Sequence, residues 1–282
     1  MSPDGKSQQN PTIAYLLTGA LAIVALAACA ASFLHPELFA GDNLALTGCA
    51  RGTALVIMLV AVPAMLISMY LSARGSLRAQ MIWAGSVLYI LYNSFYFAFS
   101  ASFNRLFLIY VLMLSLALWS FVAILGQMSV GAIARAFNLK KPLRIAAILF
   151  LLLPILIFIP LDVIPHIEGM MTGVRPIGIA NTQLPTNHIS VIDLAFWTPL
   201  FALAAVWLWQ RKEWGYALAG TMLTFYTIEL FGIGIDQYFG GMADPTSPLA
   251  DASAMPMFVI LSLVWLASLV LYLRNLRQKK SA

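Results

Sequence analysis

Apolar stretches of nearly constant length recur along the whole chain and are separated by polar connections. A helix rises about 1.5 Å per residue, so about 20 apolar residues cross the hydrocarbon core of a bilayer. The predicted spans are residues 12–34, 52–73, 80–101, 105–126, 143–161, 191–210, 214–235 and 257–274. The pattern therefore predicts an all-α, polytopic transmembrane bundle of about eight helices, in one domain covering residues 1–282.

Composition supports this class and excludes a soluble domain. Hydrophobic residues make up 61% of the chain and charged residues only 10%, whereas roughly a quarter of the residues in a soluble domain are charged. The net charge is +5, but the basic residues do not form a stripe, so no nucleic-acid partner is expected. The partner that composition predicts is the lipid bilayer, and neither a cofactor nor a particular protein partner is indicated.

Lys and Arg residues predict the orientation, because they are retained on the cytosolic side of short loops. With the N-terminus in the cytosol, 13 of the 16 basic residues fall on that side, and only Arg51, Arg105 and Arg175 do not. Nine of the 11 acidic residues fall on the opposite side or in the outer halves of helices. We therefore predict a multi-pass protein of the cell inner (cytoplasmic) membrane with both termini cytosolic. Its basic tail, residues 274–280, is expected to contact anionic lipids.

Three connections differ from the short turns elsewhere. Residues 162–190 and 236–256 are long, contain Pro and Gly, and are predicted to be extracytoplasmic loops of the kind that often carry function. On the cytosolic side, residues 128–141 combine apolar and basic positions and are predicted to include a short helix along the membrane surface.

The first span permits a second interpretation. Its residues 26–29, LAAC, resemble the cleavage box of bacterial lipoproteins. If this box were used, Cys29 would be acylated, the preceding residues would be removed, and seven helices would remain. We favour an Ala-rich helix with close packing, because the apolar stretch is longer than a typical signal core. The two cysteines also permit one disulfide, Cys29–Cys49. Two cysteines are too few to indicate a disulfide-stabilised fold.

Ionisable side chains within apolar spans are costly and require polar neighbours. Glu229 lies well inside the seventh span, and Tyr226, Ile233 and Asp236 share its helical stripe. A second stripe in the third span consists of Ser86, Tyr89, Asn93, Tyr96 and Ser100. Both stripes are predicted to face neighbouring helices rather than lipid.

These patterns predict an outward-facing polar cavity. Its expected lining residues are Glu229, Asp193, Asp162, Asn93, Tyr96, Arg105 and Asp236. The carboxyl groups suit a cation or a proton. The alternative is a purely structural role, in which Arg105 pairs with an acid and a Tyr or Asn side chain caps Glu229. Tyr92, Tyr96 and Trp197 are interpreted as aromatic residues of the membrane interface.

No sequence motif identifies a reaction. The three histidines, His35, His166 and His188, stand near acidic residues in outer segments, which is the chemistry of a zinc or copper site. No two of them have the i,i+4 spacing of a helical ligand pair. The sequence also contains no P-loop, Rossmann, GxSxG or Cys-x-x-Cys pattern. No catalytic residue and no metal ligand is therefore predicted.

Two runs resemble a group of uncharacterised prokaryotic multi-pass membrane proteins of unknown activity. They are RGSLRAQMIWAGSVLYILYNSFYFAFSASFNRLFLIYVLMLSLALWSFV, residues 74–122, and LPTNHISVIDLAFWTPLFALAAVWLWQRKEWGYAL, residues 184–218. The group has an acidic residue before a Pro at the end of the fifth helix, as Asp162 and Pro165 are here. It has Asn-Pro where this chain has Asn187-His188. The resemblance implies the same fold and topology and no particular activity.

Three classes of function fit these observations. We favour transport of a small solute or proton, because of Glu229 and because prolines interrupt helices near the predicted cavity. These prolines are Pro154, Pro160 and Pro199. The alternatives are an enzyme at the outer leaflet, using Asp162, Asp193 and the histidines, and a structural or sensory subunit of a membrane complex.

Overall fold

The regular elements of this computed structural model, which describes residues 11–180 and 182–277, are helical. Eight helices within that part of the chain are long and apolar enough to cross a membrane. They are α1 (Pro11–Leu34), α2 (Leu44–Ala73), α3 (Leu77–Phe99), α4 (Phe107–Gln127), α5 (Lys141–Thr172), α6 (His188–Trp209), α7 (Glu213–Ala243) and α8 (Met255–Arg274). The predicted all-α bundle is confirmed, and the molecule is a multi-pass membrane protein.

The other helices are arranged around α7. Its apolar window is 83% buried, and it packs against α2, α3, α6 and α8. Glycines allow these close approaches, as small residues do between membrane helices. A Cβ atom added at Gly48 of α2 would lie 2.3 Å from the carbonyl oxygen of Phe239, and one at Gly232 would lie 2.7 Å from the Tyr89 hydroxyl. The glycines of α7 therefore serve helix packing.

The two ends of the bundle differ in the length of the segments that connect the helices and in the charge of those segments. We name the end with residues 35–43, 100–106, 173–187 and 244–254 the long-loop end. The opposite basic end carries residues 74–76, 128–140, 210–212 and 275–277. The predicted short helix is present there as Val130–Ala136, with Ile133 buried and Arg135 exposed. That it lies along the membrane surface stays a prediction. The predicted cytosolic residues Asp4, Lys6, Lys279 and Lys280 lie outside the described residues.

Two helices extend beyond their predicted ends. In each, a charged residue predicted to mark the end of the apolar span lies inside the helix, where it has a hydrogen-bonding partner. α2 begins at Leu44 rather than at residue 52. Within it, Arg51 donates to the Phe33 carbonyl oxygen at 3.1 Å and stacks over the Phe33 ring. α7 continues past residue 235 to Ala243, because Thr53 donates to the Asp236 carboxylate at 3.0 Å.

The fifth span also continues beyond its predicted end at residue 161. Its π-helical turn Ile159–Val163 carries the chain through Pro160 and Asp162, and the helix ends only at Thr172. Gly173 follows in the left-handed conformation, with φ 74°, as is common after a helix C-terminus. The long loops predicted at 162–190 and 236–256 are therefore shorter than expected, because each begins with helix.

The cysteines do not form the bridge that the sequence permits. Cys29, which is buried in α1, and Cys49 of α2 both belong to the described part of the chain, and both are free. The lipoprotein interpretation of residues 26–29 stays a prediction.

The contact between α2 and α7 predicts a difference between two Gly→Ala substitutions. Gly48→Ala should lower stability by about 1–3 kcal/mol, because the new methyl group would overlap the backbone of α7. Gly19→Ala in α1 is the matched control: its Cβ meets no atom within 4 Å, and alanine has the higher helix propensity. Thermal unfolding in detergent measures both. Equal midpoints for the two variants would contradict this packing.

Candidate functional site

A cavity of about 490 Å³ lies between α2, α3, α5, α6 and α7. Residues from loops 173–187 and 244–254 also line it, which places it towards the long-loop end. Its volume falls within the range of about 300–1,000 Å³ that is typical of small-molecule sites. We call it the acidic cavity, because its lining residues carry four carboxyl groups and no Lys, Arg or His side chain.

The structure brings six of the seven predicted site residues together around this cavity. They are Asn93 and Tyr96 of α3, Asp162 of α5, Asp193 of α6, and Glu229 and Asp236 of α7. The seventh, Arg105, is not among the lining residues. The polar stripes predicted on α3 and α7 therefore face each other and the cavity.

Arg105 was expected in this site, and the structure corrects that expectation. Asn104 accepts from the Leu106 backbone N–H at 2.8 Å and forms a turn, so α4 begins at Phe107 and Arg105 remains exposed before it. Its charge acts on Glu37 instead. A backbone hydrogen bond at Glu37 and the adjacent His35 side chain lower the pKa of that carboxyl group, and Arg105 contributes. The acid that Arg105 acts on is therefore Glu37 at the surface and none of the four acids that line the cavity.

Glu229 is the most deeply buried carboxyl group of the cavity, with only 8% of its surface exposed. The Asn93 side chain is its hydrogen-bonding neighbour. Asn93 in turn donates to the Tyr89 carbonyl oxygen at 3.1 Å, which fixes the amide. The Oε2 atom of Glu229 has no hydrogen-bonding partner within residues 11–180 and 182–277. Capping by Asn93 therefore satisfies this carboxyl group only in part.

Asp236 lies two turns further along α7, against α2. Its Oδ2 atom accepts from Thr53 Oγ1 at 3.0 Å, and Gly52 allows the side chain to lie against the backbone of α2. Its Oδ1 atom has no partner in the described part of the molecule. Asp236 is close enough to Glu229 for the two carboxyl groups to interact electrostatically.

Asp162 and Asp193 both lie in π-helical turns. Asp162 belongs to the turn Ile159–Val163 of α5 and accepts from Ser190 Oγ at 2.5 Å. Asp193 begins the turn Asp193–Trp197 of α6 and has the Tyr92 hydroxyl as its hydrogen-bonding neighbour. Such turns are rare and occur frequently at functional sites. Here they direct two acidic side chains from neighbouring helices towards one space.

Aromatic rings form much of the remaining wall. Trp197 of α6 lies 5.6 Å from the ring centre of Tyr92 and 5.2 Å from that of Phe225. Phe201 and Tyr226 extend the same cluster, with ring centres 5.4 Å apart. We call these five residues the aromatic wall, since all of them line the cavity. Tyr92, Tyr96 and Trp197 were interpreted as interface residues, but all three line the cavity, so their rings face other helices rather than lipid. Their depth relative to a membrane interface stays a prediction.

Sequence reasoning had one signal for this wall. Trp197 follows Asp193 by four residues, and Phe225 precedes Glu229 by four, so each ring lies on the same helix face as an acid of the cavity. Burying an apolar residue in an apolar span has no energetic cost, so such a residue does not indicate a site. The sequence therefore placed Tyr226 beside Glu229 and assigned Tyr92 and Trp197 to the membrane interface, but it did not predict that these rings form one wall with Phe201 and Phe225.

The histidines are not gathered at one site. His35 contacts Glu37 at 2.9 Å on the surface, His166 lies 3.6 Å from Asp162, and the half-buried His188 ring lies 5.7 Å from the Tyr96 ring. No group of three or more His, Cys, Asp or Glu side chains able to hold a metal ion occurs in the described part of the chain. The alternative of an enzyme at the outer leaflet stays a hypothesis.

Comparisons with known proteins do not indicate a function. No protein-family model, no curated protein and no solved structure matches the chain. The resemblance to the prokaryotic membrane proteins stays a prediction. Function has to be argued from the geometry and charge of the site.

Water access to the cavity can be measured with introduced cysteines in a chain whose two native cysteines are replaced by Ala. Ile233→Cys, one turn from Glu229 in the cavity lining, should react with the cationic reagent trimethylammonioethyl methanethiosulfonate. Leu263→Cys, on the exposed apolar face of α8, should not, because lipid excludes the charged reagent. Mass spectrometry of proteoliposomes reports both. Ser247→Cys, in a loop at the long-loop end, is the positive control. If Ser247→Cys reacts and Ile233→Cys does not, the cavity is not open to water.

Proposed function

We propose that this protein transports a small solute or a proton, with the acidic cavity as its outward-facing site and Glu229 as the group that binds a cation or proton. The observation that carries the proposal is the Oε2 atom of Glu229, which has no partner among the described residues and is buried beside a cavity of molecular size. A carboxyl group in such surroundings is stable only when it is protonated or lies against a positive charge. Occupation of the site and the charge of Glu229 are therefore coupled.

The neighbouring acids strengthen this coupling. Asp236 and Asp193 both act electrostatically on Glu229, and Asp162 acts on Asp193. A series of carboxyl groups within a bundle is typical of proton and cation pathways in membrane transporters. Because like charges repel, a cation or proton that enters the cavity relieves several unfavourable interactions at once.

A transporter also needs elements that can move beside the site. The helices α5 and α6 are interrupted by π-helical turns at Ile159–Val163 and Asp193–Trp197, and both turns border the cavity. Broken helices at a binding site are characteristic of secondary transporters. Only 24% of the apolar window of α5 is buried, and this helix packs mainly against α6. We expect these two helices to move together against the core around α7.

The proposed setting is the cell inner membrane, with the basic end in the cytosol and the long-loop end outside. Positive residues at one end support this orientation. A wide cleft at that end is lined by Arg74, Arg135 and Arg277 and by no acidic residue. Anionic lipid headgroups suit such a surface. The basic residues of the tail beyond 277 lie outside the described residues.

Charge movement by purified protein tests the proposed function. We expect proteoliposomes on a solid-supported membrane to give transient currents after a pH jump or after addition of a monovalent inorganic or organic cation. Glu229→Gln should reduce these currents to the level of protein-free vesicles, because the amide can neither be protonated nor balance a charge. Glu213→Gln is the matched control: it changes an exposed acid on the same helix at the basic end, and its currents should stay normal.

Two results would reject the transport role. One is the absence of any current above protein-free vesicles across the whole set of ions. The other is a current that Glu229→Gln leaves unchanged while the variant elutes as a monodisperse protein.

A further inference from the structure

The charge of the cavity lining has a single sign. Glu229, Asp236, Asp193 and Asp162 line the space, and none of the lining residues is basic. Low-dielectric walls focus the field of such groups into the cavity. The cavity therefore favours a positively charged occupant over a neutral or an anionic one.

The positions of the carboxyl groups argue against a bare metal ion. Glu229 and Asp236 are seven residues apart on α7, which corresponds to about 10 Å along the helix axis. A dehydrated ion such as Ca²⁺ or Mg²⁺ needs several oxygen ligands at about 2.0–2.6 Å. No cluster of three or more potential ligand side chains occurs within the described residues. The acidic groups thus surround a space rather than converge on a point.

The aromatic wall provides the complementary contact. Aromatic rings attract cations through the negative potential of their faces, most strongly with Trp, and they also bury apolar surface. Trp197, which is only 7% exposed, contacts both Tyr92 and Phe225. Acidic groups at one side of such a cluster suit a ligand that joins a diffuse positive charge to an apolar body.

We infer that the ligand of the acidic cavity is a monovalent organic cation: an amine or quaternary ammonium compound with an apolar or aromatic body. Its charged group lies near Glu229, between Asp193 and Asp236. Its body packs against Trp197 and Phe225. Transport of this ligand rests on the proposed function, whereas its binding is a separate property that can be measured without transport.

Benzyltrimethylammonium is a suitable probe, because its uncharged isostere, neopentylbenzene, has the same shape with carbon in place of nitrogen. Isothermal titration calorimetry on the purified full-length protein compares the two. We expect the cation to bind at least about tenfold more tightly than the isostere, the difference that one favourable charge contact makes. Equal affinities, or tighter binding of the neutral compound, would overturn the inference.

Two variants locate the contact. Glu229→Gln should weaken binding of the cation by at least about tenfold and leave the isostere unaffected. Trp197→Leu keeps an apolar side chain but removes the ring, and should weaken binding of the cation by about three- to thirtyfold. Glu213→Gln and Trp119→Leu are the controls, since both residues are exposed and neither lines the cavity.

Cation affinity unchanged in both Glu229→Gln and Trp197→Leu would overturn the inference. If Glu229→Gln does not fold, Trp197→Leu and the isostere comparison decide alone. The two proposals fail separately. Tight, selective binding without any current would reject transport and leave a cation-binding site, whereas Glu229-dependent proton currents without binding of the probe would reject the organic cation and leave transport.

Discussion

Hydrocarbon does not solvate charge, and that constraint determines the arrangement of this bundle. An acidic residue in the middle of an apolar helix has to meet polar atoms from neighbouring helices. Glu229 meets Asn93 on one side and a cavity on the other. The helix that carries it, α7, is accordingly the most buried of the eight candidate spans in the described part of the chain.

The same constraint separates a tightly packed part of the molecule from a looser one. Glycines such as Gly48 bring α2 against the backbone of α7, so Asp236 has a fixed partner in Thr53. On the opposite side of the cavity, α5 and α6 contain π-helical turns at Asp162 and Asp193 and bury less of their apolar surface. Under the proposed function, binding in the cavity shifts α5 and α6 relative to the more deeply buried helix α7.

Much of this structure follows from the sequence, and the exceptions have a common cause. Hydropathy predicted eight spans, but it treated Arg51 and Asp236 as boundaries. Inside the bundle, Arg51 donates to a carbonyl oxygen of α1, and Asp236 accepts from Thr53 through one of its two carboxylate oxygens. Such partners come from distant parts of the chain, which a single sequence does not bring together. The acids of the cavity were predictable because their burial is costly. The aromatic wall was not, because Phe225 is an ordinary apolar residue in a membrane helix and Trp197 also fits an interface position.

The central claim is that the carboxyl group of Glu229 faces a cavity that is open to water and to cations. Modification by a water-soluble cationic carbodiimide with a small amine, followed by peptide mapping, tests it directly. The exposed Asp251 provides the reference. We predict that Glu229 is modified when the reagent is applied at the long-loop end, and that benzyltrimethylammonium protects it without protecting Asp251. Complete modification of Asp251 with no modification of Glu229 would contradict the account.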